Sequence, residues 1–179
     1  MRRLLDFSDA VDWLSEQIGQ ALKWLVLASS LISAGTALVR YGLHTGSNAW
    51  LEIQWYMFGA MFLLGAGYAL KHDEHVRVDI FFSKMSPRNQ AWVDVFGGIL
   101  FLMPAAVIIT WLSWHMVVNS ILINEMSSDP GGLLRWPIKI CIPIGFALLA
   151  LQGIADIIKK VAIARGIRAP GKAYERPVQ

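Results

Sequence analysis

Four long apolar stretches alternate with segments that hold almost all of the charge in this chain. A helix needs about 20 mostly apolar residues to cross roughly 30 Å of hydrocarbon. Residues 19–39, 53–70, 95–123 and 138–158 meet that requirement. The first carries Lys23 near one end, where its long stem can reach the interface. The second and third hold no formal charge, and Glu52 and Lys71 bracket the second. The fourth has Lys139 and Asp156 near its two ends. The pattern predicts an all-α integral membrane protein with four spanning helices. They form a single domain over residues 1–165, followed by a flexible tail, 166–179, that contains Gly166, Pro170, Gly171 and Pro177.

The third stretch is too long for a simple crossing, because as a straight helix it would reach about 44 Å. It has to tilt, bend or project, and Pro104 is the expected bend. Ser86 followed by Pro87 reads as an N-cap and a first-turn proline, so this helix is expected to begin before the membrane. At the start of the chain, Phe7, Val11, Leu14 and Ile18 share one helical face, with Asp6, Asp9 and Glu16 between them. That pattern predicts an amphipathic helix that lies on the membrane surface or continues into the first span, or one that docks on a partner subunit. A second interfacial piece is expected within residues 72–90, where Val76, Val78, Ile80, Phe81 and Phe82 lie between basic residues.

Composition supports the membrane reading: 55% of residues are hydrophobic and 16% are charged, against roughly 25% charged in an average globular domain. The net charge of +3 does not point to nucleic acid, because the basic residues crowd the inter-helix segments. Thirteen of the 16 lysines and arginines fall in the N-terminal segment, the second loop and the tail. The positive-inside rule places those segments in the cytoplasm, and four crossings then leave both termini there. No cleavable signal peptide is expected, since Asp6, Asp9, Asp12 and Glu16 interrupt the apolar core one would need. The single cysteine, Cys141, sits in an apolar run and reads as a packing or lipid-facing residue.

Candidate chemistry inside the spans is thin. His115 is the one ionisable residue well within a crossing, and it reads as an interfacial or hydrogen-bonded histidine or as a proton relay. His44, His72 and His75 lie in loops, which leaves no second histidine for a bis-histidine haem. A His/Met pair would have to use Met57, Met61 or Met103, which read as packing residues. Small residues at intervals of four suggest helix contact through Ser29, Ser33 and Ala37, and through Gly65 and Ala69. Trp24, Trp50, Trp55, Trp92 and Trp136 sit near span ends, as an aromatic belt requires. No phosphate loop, nucleophile elbow or HExxH motif occurs, and Asp129-Pro130-Gly131-Gly132 reads as a turn. No cofactor or metal is expected, and the chain reads as a subunit without its own pathway.

A connected set of residues carries a family resemblance. Trp50 and Glu52 stand before the second span. The run from Phe62 to Leu70 (FLLGAGYAL) follows, and then His75-Val76-Arg77-Val78-Asp79. Trp136-Pro137 opens the fourth span, which continues through Ile142-Pro143-Ile144-Gly145 to Leu151-Gln152. On these residues, over roughly 15–160, the chain resembles the small membrane (Q, DctQ-like) subunit of tripartite ATP-independent periplasmic (TRAP) transporters. The resemblance implies a bacterial inner-membrane location and no enzymatic activity. It implies a tight heterodimer with a large membrane subunit, which carries organic acids by an elevator motion with an ion gradient, usually sodium. It also implies a transient periplasmic substrate-binding partner and a fixed scaffold role for this chain among membrane lipids. In the region from Glu125 to Pro137 the chain resembles members paired with 2-oxo acid or aromatic-carboxylate systems, which implies such a substrate for the transporter. Trp50, Glu52, His75, Arg77, Asp79, Trp136 and Pro137 are the motif and contact candidates. The alternative reading is the membrane anchor of a haem- or quinone-linked oxidoreductase.

Overall fold

The computed structural model describes residues 1–73 and 85–167. Among them, four helices are long and apolar enough to cross a membrane. Helix α1 spans Arg2–Leu43 (42 residues) and α2 spans Asn48–Lys71 (24 residues). Helix α3 spans Pro87–Leu122 (36 residues) and α4 spans Trp136–Ala164 (29 residues).

Local chemistry explains most of the helix ends. No proline interrupts residues 2–43, so the amphipathic start of the chain and the first span form one rod about 63 Å long. Continuation into the span, rather than a separate surface helix, is therefore the outcome for residues 2–18. The rod stops at His44, which adopts the left-handed region with φ 50°. Ser86 caps α3 as expected: its hydroxyl accepts from the Asn89 N–H at 3.4 Å, and Pro87 follows at the first turn.

Pro104 acts one turn upstream of itself. It lacks an N–H, and its ring would crowd the carbonyl of Leu100 in a regular helix. Residues Gly98–Leu102 therefore widen into a π-helical turn, in which the Met103 N–H reaches back to the Gly98 carbonyl. Pro143 has a similar effect in α4. The regular helix resumes at Cys141 after a first turn over Trp136–Lys139, and Ile140 marks the irregularity.

Helix α4 is the hub, packing against α1, α2 and both halves of α3. Helices α1 and α2 run antiparallel, since Glu16 meets Lys71 at one end and Thr36 meets Gln54 towards the other. Helices α2 and α4 run parallel, with Gly59 against Ile138 and Gly67 against Leu148. Helices α3 and α4 run antiparallel, with Lys160 on Asp94 and Gly98 against Ile157. Residues 1 and 167 consequently lie at the same end of the bundle.

The interior is made mainly of small and polar residues, joined by Val11, Leu22, Val95 and Val117. Ala155 and Ala162 are fully buried, as are Ser8, Ser120 and Gln152. Large apolar side chains face outward; Phe62, Phe101 and Leu122 are each 75% exposed. That inversion suits a lipid solvent, where apolar groups gain nothing by hiding and close backbone approach holds helices together. The approach is made at glycines rather than at the expected serine stripe. A Cβ on Gly145 would lie 2.5 Å from the Leu63 carbonyl oxygen, and Gly19 seats the ring of Tyr68. Ser29 bonds within its own helix, to the Val26 carbonyl at 3.0 Å, and lines an open groove together with Ser33.

Replacing Gly145 by alanine should push α2 and α4 apart, because the obstructing atoms are backbone. The expected loss is about 1–3 kcal/mol, read as a lower thermal midpoint in detergent. Gly35→Ala, which meets nothing within 4 Å, should be neutral or slightly stabilising in the same assay.

Candidate functional site

Two polar clusters organise the bundle, one at each end. At the end opposite the chain termini, the segment between α3 and α4 folds back over the start of α2. Asn124 (φ 46°) turns the chain out of α3. Met126 and Leu134 then pair as an antiparallel bridge. The Ser127 N–H bonds to the Leu133 carbonyl at 3.0 Å, and the Arg135 N–H to the Glu125 carbonyl at 2.8 Å. The tip turns through Gly131 (φ 72°). Gly132 is required for contact: a Cβ there would lie 2.4 Å from Ser127 Cβ and 2.9 Å from Glu52 Oε1.

This loop closes around Glu52, which is only 3% exposed. The Leu133 N–H donates to Glu52 Oε2 at 2.6 Å, and the Ser127 hydroxyl donates to Oε1. Arg135 donates to Ser127 Oγ at 3.0 Å and lies 3.7 Å from the same carboxylate oxygen. The Arg135 guanidinium also sits 5.1 Å from the centroid of Trp55, a cation–π distance. Two more bonds tie the loop to α2: Tyr56 donates to the Leu134 carbonyl at 2.8 Å, and Asn48 donates to the Pro130 carbonyl at 2.9 Å. Beside them Lys139 pairs with Glu125, and this hydrogen bond holds the Glu125 carboxyl below the usual carboxylate range. A buried carboxylate that accepts from a backbone N–H and a hydroxyl, with a cation within ion-pair distance, is well satisfied and acts as a clasp.

At the end carrying the termini, α1 and α4 are locked by side chains. Ser8 donates to the Ala155 carbonyl at 3.0 Å, and Ser15 donates to Gln152 Oε1 at 2.6 Å. Gln152 donates to Asp12 at 2.8 Å, and Asp12 also takes Lys159 at 2.8 Å. Lys160 bridges to Asp94 on α3 at 3.0 Å and lies 3.7 Å from Asp73. Glu16 accepts from Lys71 at 2.6 Å and lies 3.1 Å from His72 Nε2.

Of the residues singled out from the sequence, Glu52 is central to the first cluster. Trp50, two positions before it in α2, is 55% exposed. Trp136 is half-buried, and Pro137 is exposed at the first turn of α4. His75, Arg77 and Asp79 lie outside the described residues. His115 is exposed on α3, edge-on to Trp111 with ring centroids 6.1 Å apart. Cys141 is partly exposed and donates weakly to the Pro137 carbonyl at 3.6 Å. Sequence reasoning did not single out Ser8 and Ser15 and noted Asp12 only as a break in the apolar run, although their spacing of four and three puts them on one face. It also missed Ser127, Leu133 and Arg135, because a contact with Glu52 across more than 70 positions leaves no periodic signal. No group of three or more His, Cys, Asp or Glu that could hold a metal occurs among the described residues.

The fold and these clusters define a multi-pass α-helical membrane protein whose polar side chains knit its own helices and loops together. Residues 29–162 match the family described as tripartite ATP-independent periplasmic transporters, DctQ component, and the chain belongs to that family. It is the small membrane component of a TRAP transporter, and not an enzyme. No curated protein and no solved structure matches the chain significantly.

Glu52→Ala should leave the Leu133 N–H without its acceptor and Arg135 without its carboxylate. The expected cost is about 1–3 kcal/mol, seen as a lower thermal midpoint together with new proteolytic cleavage within residues 124–134. Ser127→Ala should cost less, since the Leu133 bond survives. The Glu125–Lys139 pair gives a pH signature. Its stabilisation is present above the unfolded carboxylate value, about 4.3, and is lost as pH falls through the lower folded value. A melting series across that range should fall less steeply for Glu125→Gln than for the parent.

Proposed function

We propose that this chain is the fixed scaffold of a sodium-driven TRAP transporter for organic acids. On this reading it forms a tight heterodimer with a large membrane subunit that binds and moves the substrate. A periplasmic binding protein docks transiently on the end carrying the Glu52 clasp. The protein sits in the bacterial inner membrane with both termini in the cytoplasm. That orientation is supported by the basic residues, thirteen of which fall in the N-terminal segment, the second inter-helix segment and the tail of the sequence.

The observation that carries the scaffold reading is how the polar side chains of the bundle are used. Gln152, Ser15, Asp12 and Lys159 satisfy one another across the α1–α4 seam, and Glu52 is filled by its own loop. A carrier instead needs polar groups presented to a passage. Here they lock helices in place, while the glycine contacts between α2 and α4 leave no slack for sliding. A moving partner requires such a fixed neighbour, and the outward apolar face of α3 (Phe101, Ile108, Leu112 and Leu122) offers it an anchored surface. Substrate choice then rests mainly with the other subunits.

Reconstitution separates the roles. Liposomes holding this chain alone should show no sodium-dependent uptake of an organic acid. Liposomes holding it with the large subunit and the binding protein should accumulate the acid. Uptake by this chain alone would refute the scaffold reading.

A further inference from the structure

The seam between α1 and α2 opens towards the clasp end into two cavities, stacked along the same pair of helices. The first, nearer the loop, is lined by Thr36, Arg40, His44, Ser47, Asn48 and Leu51 among others. The second, deeper along the rods, is lined by Ser29, Ser30, Ser33, Gln54, Trp55 and Phe58. Gln54, which lines the second, donates to Thr36, which lines the first, at 3.5 Å, so the two cavities adjoin at a polar bridge in the groove along this seam.

We infer that this groove holds one anionic phospholipid, its phosphate on Arg40 and an acyl chain along Ser33 and Phe58. Three observations carry the assignment. Charge comes first: Arg40 is exposed and is the one formal charge among the residues lining either cavity, with no carboxylate beside it there. Depth comes second. From Arg40 to Ser29 the helix advances about 16 Å, half of the roughly 30 Å hydrocarbon core. The groove therefore runs from one interface to the midplane, the reach of one lipid in one leaflet. The third is the surroundings. Leu27, Leu31, Leu38 and Phe58 face outward along the same helices, so the medium beside the groove is acyl chain rather than water. The Ser29 and Ser30 hydroxyls are already bonded to the Val26 carbonyl, which lets an apolar chain lie against them without stranding a donor. An arginine at this depth attracts an anionic headgroup through charge and hydrogen bonds.

The test uses the full chain, purified in mild detergent and offered phosphatidylglycerol or phosphatidylcholine of identical acyl composition, with bound lipid read by native mass spectrometry. Phosphatidylglycerol should be retained in preference, and Arg40→Gln should lower its retention about fivefold. Arg40→Lys should keep most of it. Ser33→Phe, which fills the deeper cavity on an exposed position, should lower retention of both lipids while leaving the thermal midpoint in place. Equal retention of the two lipids, or no change in Arg40→Gln, would overturn the proposal. Displacement of phosphatidylglycerol by millimolar inorganic phosphate would assign the site to a free anion and overturn the lipid reading.

Discussion

Close approach of α2 and α4 is the constraint on which the rest of this bundle depends. In a lipid solvent, helices gain little by hiding apolar side chains from one another, so contact has to come from packed backbones and shared polar groups. Gly145 lets the Leu63 backbone reach α4, and Gly67 lets α2 settle against Leu148 and Gln152. Once α2 and α4 are fixed, α1 can bridge both. Its Gly19 seats Tyr68 of α2, and its Ser8, Asp12 and Ser15 grip α4. Helix α3 then packs on the remaining side of α4, held at one end by the ion pair between Asp94 and Lys160. The loop that follows α3 closes the far end by surrounding Glu52.

The large features were legible in the sequence because the bilayer imposes one strong rule. A crossing helix must be long and apolar, and charges must stay at its ends. That rule located four helices, and the Ser86-Pro87 start of α3 followed from capping chemistry alone. Finer features escaped for a related reason. At the start of α1 the apolar stripe of Phe7, Val11, Leu14 and Ile18 attracts attention, yet Phe7 and Leu14 remain exposed, and the buried face combines Val11 with the small polar Ser8 and Ser15. Water-based patterning assigns the apolar face to the core, whereas near a membrane the small polar face can win. The serine stripe at Ser29 and Ser33 misled in a similar way. Small residues permit close approach without enforcing it, and here the glycines of α2 and α4 took the contact. Pro104 was rightly marked as a disturbance, but the disturbance lies in the preceding π-helical turn.

The candidate site divides along the same line. Glu52 stood out because it belongs to the family pattern just before the second span; the structure adds that a carboxylate there is costly unless it is satisfied. Its partners did not stand out, because Ser127, Leu133 and Arg135 are ordinary loop residues until the loop folds back. Family membership supplies what geometry alone does not, the assignment to a TRAP transporter. The geometry adds a physical reason for the scaffold proposed above: this bundle spends its polar groups on staying in one shape.

Rigidity is therefore the property to measure. Spin labels at Leu38 in α1 and Phe101 in α3, exposed sites on opposite flanks of the hub, report the width of the bundle in the assembled transporter by double electron–electron resonance. The scaffold account predicts one narrow distance distribution that is the same with and without sodium and substrate. A distribution that splits or shifts by several ångströms during the transport cycle would show that this chain moves with the cargo, and would contradict it.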